Sequence, residues 1–294
     1  MVEMELAERI AIIQRSRAIA AAALADALSP IHETSSEHAI CDRWIETIAK
    51  HASLCPEGWY QPPPGGASIL IGQPGDAFAR LNYDSLRNPA IWPRNDIWLR
   101  NDSLVYAYAS PINRATGLIG DIGLTLYCGA EQSIRDHLST CLEVTTRIAC
   151  FAEVGMELRE LFNYAQRQIE AAELSNQASS TGSGTANIGH TVPWSYGGYS
   201  DEAKECLERG NPRDIRDMIS NERVSINSLA ALRIQPTMAF TVEPQIASSK
   251  IGLCSYHLIV AFSEGKRSIS SSFEPLFKAF AMDDYMQTAL ERLS

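Results

Sequence analysis

Three ionisable side chains stand beside strand-like apolar runs in this sequence. They are Asp121 in Gly120-Asp121-Ile122, His190 in Asn187-Ile188-Gly189-His190, and Glu243 at the end of Met238-Ala239-Phe240-Thr241-Val242-Glu243-Pro244. One imidazole and two carboxylates can hold a single Mn, Fe or Zn ion and leave positions open for water or substrate. Without a metal, a neutral imidazole near physiological pH suits proton transfer, and a carboxylate can orient the substrate. Each residue also has an ordinary structural reading. A histidine on a strand more often packs than reacts, Glu243 before Pro244 can simply end a strand, and Asp121 can cap or pair locally. The aromatic run Trp194, Tyr196 and Tyr199 after His190 has packing as its commoner role. Other signatures are missing: Gly182-Ser183-Gly184 is not the strand-to-helix GxSxG of a nucleophile elbow, and no phosphate-binding loop or dinucleotide fingerprint occurs.

The elements that must position these side chains follow from periodicity. Residues 5–28 carry apolar side chains at helical spacing. Thr34-Ser35-Ser36-Glu37 has the form of a capping box and predicts a helix through about Ala52. Gln61-Pro62-Pro63-Pro64-Gly65-Gly66 cannot be helical. Strands are expected at Ala67–Ile71, Ser103–Ala109 and Leu118–Cys128, and helices at Ser133–Ala149 and Met156–Leu174. After a Ser/Thr/Gly/Asn-rich loop to Asn187, the second half predicts a strand at His190, a helix near Glu202–Arg209, strands at Thr237–Val242 and Leu253–Phe262, and a terminal helix over Phe273–Leu293. The connection between those last two strands is too short for a helical crossover, so they should pair antiparallel.

Composition narrows the function classes. The 294 residues carry 25 Lys plus Arg against 35 Asp plus Glu, a formal net charge of -10. An acidic chain without basic runs does not match a nucleic-acid footprint or an anionic membrane surface. The Ala-rich stretch Ile10–Leu28 is interrupted by Gln14, Arg15, Arg17 and Asp26, which predicts a soluble amphipathic helix rather than a membrane span or signal peptide. The seven cysteines form no CxxC pair, so reduced thiols and a cytoplasmic location are expected.

The order of Gly120-Asp121-Ile122-Gly123-Leu124-Thr125, Gly189-His190, Met238–Pro244 and Ile251-Gly252-Leu253-Cys254-Ser255-Tyr256-His257 resembles the metallopeptidase family of creatinase, methionine aminopeptidase and aminopeptidase P. Ser29-Pro30-Ile31-His32-Glu33-Thr34 and Glu153–Leu158 also fit that family. The resemblance covers roughly residues 10–270. It implies an α+β pita-bread fold: a curved, mainly antiparallel sheet covered by helices, in two pseudo-symmetric halves. A single domain over residues 1–294 is expected, as in methionine aminopeptidase, without the N-terminal domain of creatinase and aminopeptidase P.

The dinuclear members use two Asp, one His and two Glu. Here Asp121, His190 and Glu243 match three of these and are the expected metal ligands. The first Asp falls within Tyr106–Ser110, where there is no acid. The final Glu falls at Tyr256, or at His257 with a one-residue slip, and a substrate-contacting His falls at Gly197. The resemblance therefore implies no ordinary two-metal aminopeptidase. It implies either no metal, as in creatinase, or one divalent ion (Mn, Fe or Zn). The expected catalytic residues are His190, Glu243 and Tyr256, and the expected substrate-binding residues are Trp194, Tyr196 and Tyr108. The leading expectation is an enzyme that cleaves a C–N bond of a small molecule or performs related acid/base chemistry. The alternatives are a catalytically silent pita-bread protein that binds a peptide or protein, and a mononuclear iron oxidase or oxygenase. A small-molecule substrate, no nucleic-acid or membrane partner, and a monomer or weak homodimer are expected.

Overall fold

The computed structural model describes residues 4–28, 35–60, 63–76, 78–82, 88, 93–179, 184–248 and 251–291. The first half opens with helices α1 (Leu6–Leu28) and α2 (Glu37–Ala49), followed by strands β1 (Ala67–Gly72), β2 (Leu104–Ala109) and β3 (Ile122–Tyr127). Helices α3 (Gln132–Phe151) and α4 (Leu158–Ala171) then lead to the short strands β4 (Ser175–Asn176) and β5 (Asn187–His190). Next come α5 (Asp201–Arg209), α6 (Pro212–Glu222), β6 (Ser225–Asn227), β7 (Met238–Val242), β8 (Gln245–Ala247) and β9 (Cys254–Ser255). The chain closes with β10 (Leu258–Ser263), β11 (Lys266–Ser270), α7 (Glu274–Ala279) and α8 (Asp283–Glu291).

All pairings between these strands are antiparallel: β1-β2-β3, β11-β10-β7, β4-β8-β9 and β5-β6. Strands β1 to β3 are buried on both faces, which accounts for their nearly continuous apolar sequences. The expected pairing of residues 237–242 with 253–262 is present, with Val242 opposite Leu258. Between those strands, β8 and β9 form a hairpin of their own. Two bridges join the sheets: Leu124 to Tyr256, and Thr191 to Phe240. The first brings the middle of the chain against its last third, and that contact builds the site.

Several sequence expectations need correction. Residues 29–34 lie outside the described residues, and with them Thr34, the first residue of the expected capping box. Ser36 is the N-cap of α2, accepting from the Ala39 amide. Glu37 leaves the helix end and bonds instead to the Ile71 amide, the Arg94 amide and the Arg80 guanidinium. The terminal helix is broken in two, because Ala281 adopts a positive φ of 51°. Helix α6 was not expected, although Asn211 as cap with Pro212 in the first turn is a strong start signal.

Arg17 carries the most consequence. Its charge marked α1 as amphipathic, yet it is completely buried. Its guanidinium donates to the carbonyls of Asp121, His257 and Ser271. A buried guanidinium with several carbonyl acceptors is a satisfied cation, and here it ties α1 to two site-bearing segments at once. Among the described residues, no helix is long and apolar enough to cross a membrane.

Candidate metal centre

Each side chain of the site is aimed by its local backbone. Gly189 has φ 143°, and a Cβ there would come within 2.2 Å of the Thr241 carbonyl oxygen. Only glycine lets β5 approach β7 so closely. The His190 amide then donates to Thr241 Oγ1 at 3.0 Å, which anchors the histidine. Its Nδ1 lies 3.0 Å from the Thr191 carbonyl oxygen. Because a carbonyl can only accept, Nδ1 carries the proton, and Nε2 is turned toward the carboxylates.

Asp121 immediately precedes β3, and Glu243 immediately follows β7. Nε2 of His190 is 3.3 Å from Asp121 Oδ2 and 3.7 Å from Glu243 Oε1. The three residues each offer a ligand atom, all within 4.8 Å of one another. Trp59 donates its indole N–H to Asp121, at 2.8 Å to Oδ1 and 3.1 Å to Oδ2. Its ring also meets the His190 ring edge-on, with centroids 5.2 Å apart. The guanidinium of Arg223 lies over the Trp59 ring, 4.7 Å from its centroid.

His257 closes the opposite side. Its Nδ1 is 3.1 Å from Glu243 Oε2, but the direction is wrong for a hydrogen bond, and both buried atoms lack a hydrogen-bond partner. Its Nε2 lies 3.2 Å from the Tyr106 hydroxyl and 3.3 Å from Gln245 Nε2. The Gln245 Oε1 is also buried without a partner. Orphaned polar atoms are rare in folded interiors and call for a reason.

Burial and charge oppose each other here. Burial pushes the Glu243 carboxyl upward, but His257 and His190 outweigh it and hold the group down at about 2. Burial pulls the His190 imidazole downward, yet the charges of Glu243 and Asp121 win and raise it above its ordinary value. An ionised carboxylate facing an imidazole in a dry site suits a divalent cation, to which Asp121, His190 and Glu243 each offer a ligand atom. The donor set therefore fits one metal ion.

The remaining sequence-predicted residues divide. Tyr108 lies at the site, its ring centroid 5.6 Å from that of His257. Its phenol is driven well above the usual range by burial and then by the Asp121 and Glu243 charges. Tyr196 is one step removed, its hydroxyl 3.4 Å from Thr191 Oγ1. Trp194 stacks on Tyr199 and accepts from Arg9 through its carbonyl, within a separate apolar cluster. Tyr256 is not brought to the ligands. Its ring packs against Phe273 and Phe277, and its hydroxyl, beside the Cys254 thiol, has no well-formed hydrogen bond. The neighbouring His257 is the residue that faces Glu243. Trp59, Tyr106 and Gln245 were not anticipated.

The profile of metallopeptidase family M24 matches residues 11–267. The structure is similar to X-Pro aminopeptidase from Thermotoga maritima MSB8, with 14% identity, TM-score 0.61, and coverage of 89% of this chain and 60% of that one. It is also similar to prolidase from Pyrococcus furiosus, with 18% identity, TM-score 0.60, and coverage of 89% and 63%. Aminopeptidase P from Escherichia coli gives 14% identity, TM-score 0.59, and coverage of 97% and 59%. The chain thus spans about three fifths of the length of these proteins. Curated proteins give no match.

Proposed function

This chain belongs to metallopeptidase family M24 and has its pita-bread α+β fold, and from that premise we propose a one-metal enzyme that cleaves a C–N bond of a small molecule. The ligands are Asp121, His190 and Glu243, and the ion is Mn, Fe or Zn. Such an ion, when bound, would supply Lewis-acid polarisation of a carbonyl oxygen on the carbon of the C–N bond. The chain's own residues do the rest. Thr191 fixes the His190 tautomer, Trp59 orients Asp121, and Glu243, held ionised by His257 and His190, supplies the second carboxylate of the ligand set.

The observation that carries this reading is the convergence of Asp121 Oδ2 and Glu243 Oε1 on His190 Nε2, with a ligand atom from each residue within 4.8 Å of the others. A second observation favours a small substrate over a docked protein. The Asp121 and His190 side chains are 1% and 5% exposed and that of Glu243 is 16% exposed, a narrow approach unlike the open face a macromolecule covers. Tyr108, its ring 5.6 Å from that of His257, is buried beside these residues.

Amine release from a panel of dipeptides, N-acyl amino acids and ureas, measured with Mn-loaded protein, tests the reading. Turnover at least a hundredfold above that of Glu243→Ala and His190→Ala, on a small member of the panel, is expected. Equal rates in all three proteins would remove the site assignment. Preferential release of N-terminal residues from long peptides would contradict the small-substrate reading.

A further inference from the structure

His257 is held on every side except the one that faces Glu243. Its amide donates to the Gly123 carbonyl at 2.8 Å, and its own carbonyl accepts from the buried Arg17. Its ring lies flat over Gly123, where an added Cβ would come within 2.6 Å of three ring atoms. The far nitrogen meets Tyr106 and Gln245. The near nitrogen stands 3.1 Å from Glu243 Oε2, the carboxylate oxygen turned away from His190.

A second divalent ion in this centre would have to lie about 3.5–4 Å from the first and share bridging carboxylates with it. The ligand group found among the described residues holds two carboxylates, Asp121 and Glu243. Two divalent ions bring four positive charges to two negative ones, in a buried site where repulsion at that spacing is weakly screened. The space beside Glu243 Oε2, one place where an ion bridged by Glu243 would sit, is filled by the His257 ring between Gly123, Tyr106 and Gln245, and Arg17 and Arg223 add further positive charge nearby.

We propose that His257, seated on Gly123, takes the place of a second cation: it holds Glu243 by one oxygen and limits the centre to a single metal ion. It is a positioning residue, acting on the metal through Glu243. Gly123 is part of the same device, since any larger residue would lift the ring from its seat. This inference rests on the one-metal reading above, but it can fail separately.

The experiment is titration of the whole chain with Co²⁺, followed by calorimetry and by the visible absorption of the bound ion. The wild type is expected to saturate at one equivalent. His257→Glu, which sets a carboxylate opposite Glu243, is expected to take up a second. A wild type that binds two equivalents overturns the inference while leaving the ligand assignment in place. A wild type that binds none overturns the function reading on which it rests. One equivalent with an unchanged spectrum in folded His257→Glu overturns the role of His257. Gly123→Ala provides the independent arm should His257→Glu not fold. Displacing the ring is expected to shift the Co²⁺ spectrum and weaken binding at least tenfold, and an unaltered spectrum and affinity would overturn the inference.

Discussion

Glu37, at the start of α2, and Glu243, after β7, are both carboxylates withdrawn from water, and their surroundings treat them differently. Glu37 is fully buried and completely served: two backbone amides and both arms of Arg80 converge on its two oxygens. Glu243 has ring nitrogens at 3.1 and 3.7 Å and an oxygen with no hydrogen bond. The first arrangement is finished and binds α2 to β1. The second is incomplete in the protein alone, which is what a ligand site requires. Buried charge by itself therefore does not identify function here; the unfilled valence of the surroundings does.

The largest expected effect is on the finished site. Glu37→Ala leaves the Ile71 and Arg94 amides and the Arg80 guanidinium without their acceptor and should lower stability by about 3 kcal/mol, read from urea unfolding, with metal affinity unchanged. Glu243→Gln should abolish metal binding, and in metal-free protein at neutral pH it should also lower stability, because the ionised carboxylate is favoured in the fold. Lost metal binding in Glu37→Ala, or retained metal binding in Glu243→Gln, would break the comparison.

Trp59→Phe sharpens it. The substitution keeps an aromatic wall beside His190 and removes the donor that orients Asp121. Loss of an outer hydrogen bond to a metal ligand typically costs about 10–100-fold in affinity. Competition against a chelator should show a fall of that size, and an unchanged affinity would make Trp59 a packing residue only.

Acidity separates the two carboxylates by sign. Glu243 ionises in the fold at about 2 against an ordinary 4.5, so its charged form adds stability above about pH 4.5. That contribution is lost as pH falls from 4.5 toward 2. Glu37 is pushed upward by burial, more than its donors pull it down, so its folded form takes up a proton first and its contribution improves as pH falls. In metal-free protein, Glu243→Gln should flatten the acid loss of stability below pH 4.5. Glu37→Gln should not flatten it.

Tyr256→Phe carries the smallest effect. The hydroxyl lacks a well-formed hydrogen bond in an apolar setting, so its removal should change unfolding free energy by less than about 1 kcal/mol and leave metal uptake intact. A loss of metal would return Tyr256 to the site.

The difference between Tyr256 and His257 also explains how much of the centre the sequence made legible. Asp121, His190 and Glu243 stand at the ends of apolar strand sequences, where neighbouring glycine and proline mark their positions, and the structure brings all three together. The last strand has no such marker. Successive residues of a strand face opposite sides, so a shift of one exchanges core for site. Tyr256 pairs across to Leu124 and turns to Phe273, while His257 bonds to Gly123 and turns to Glu243. Trp59 was illegible for another reason: it reaches Asp121 across 62 residues from an irregular loop, and no periodicity reports such a contact. Arg17 was readable only as a charge on an Ala-rich helix, because its carbonyl acceptors come from three distant segments. The helical and strand framework, by contrast, followed from local patterns and from the antiparallel return of β10 on β7.

The most direct test of the central claim is the Mn content of the protein, measured after equilibration with excess ion and gel filtration, for the wild type and for Glu243→Gln side by side. The account predicts one equivalent in the wild type and essentially none in the variant, with both proteins folded. Equal metal content in the two would show that the incomplete coordination of Glu243 does not mark the binding centre.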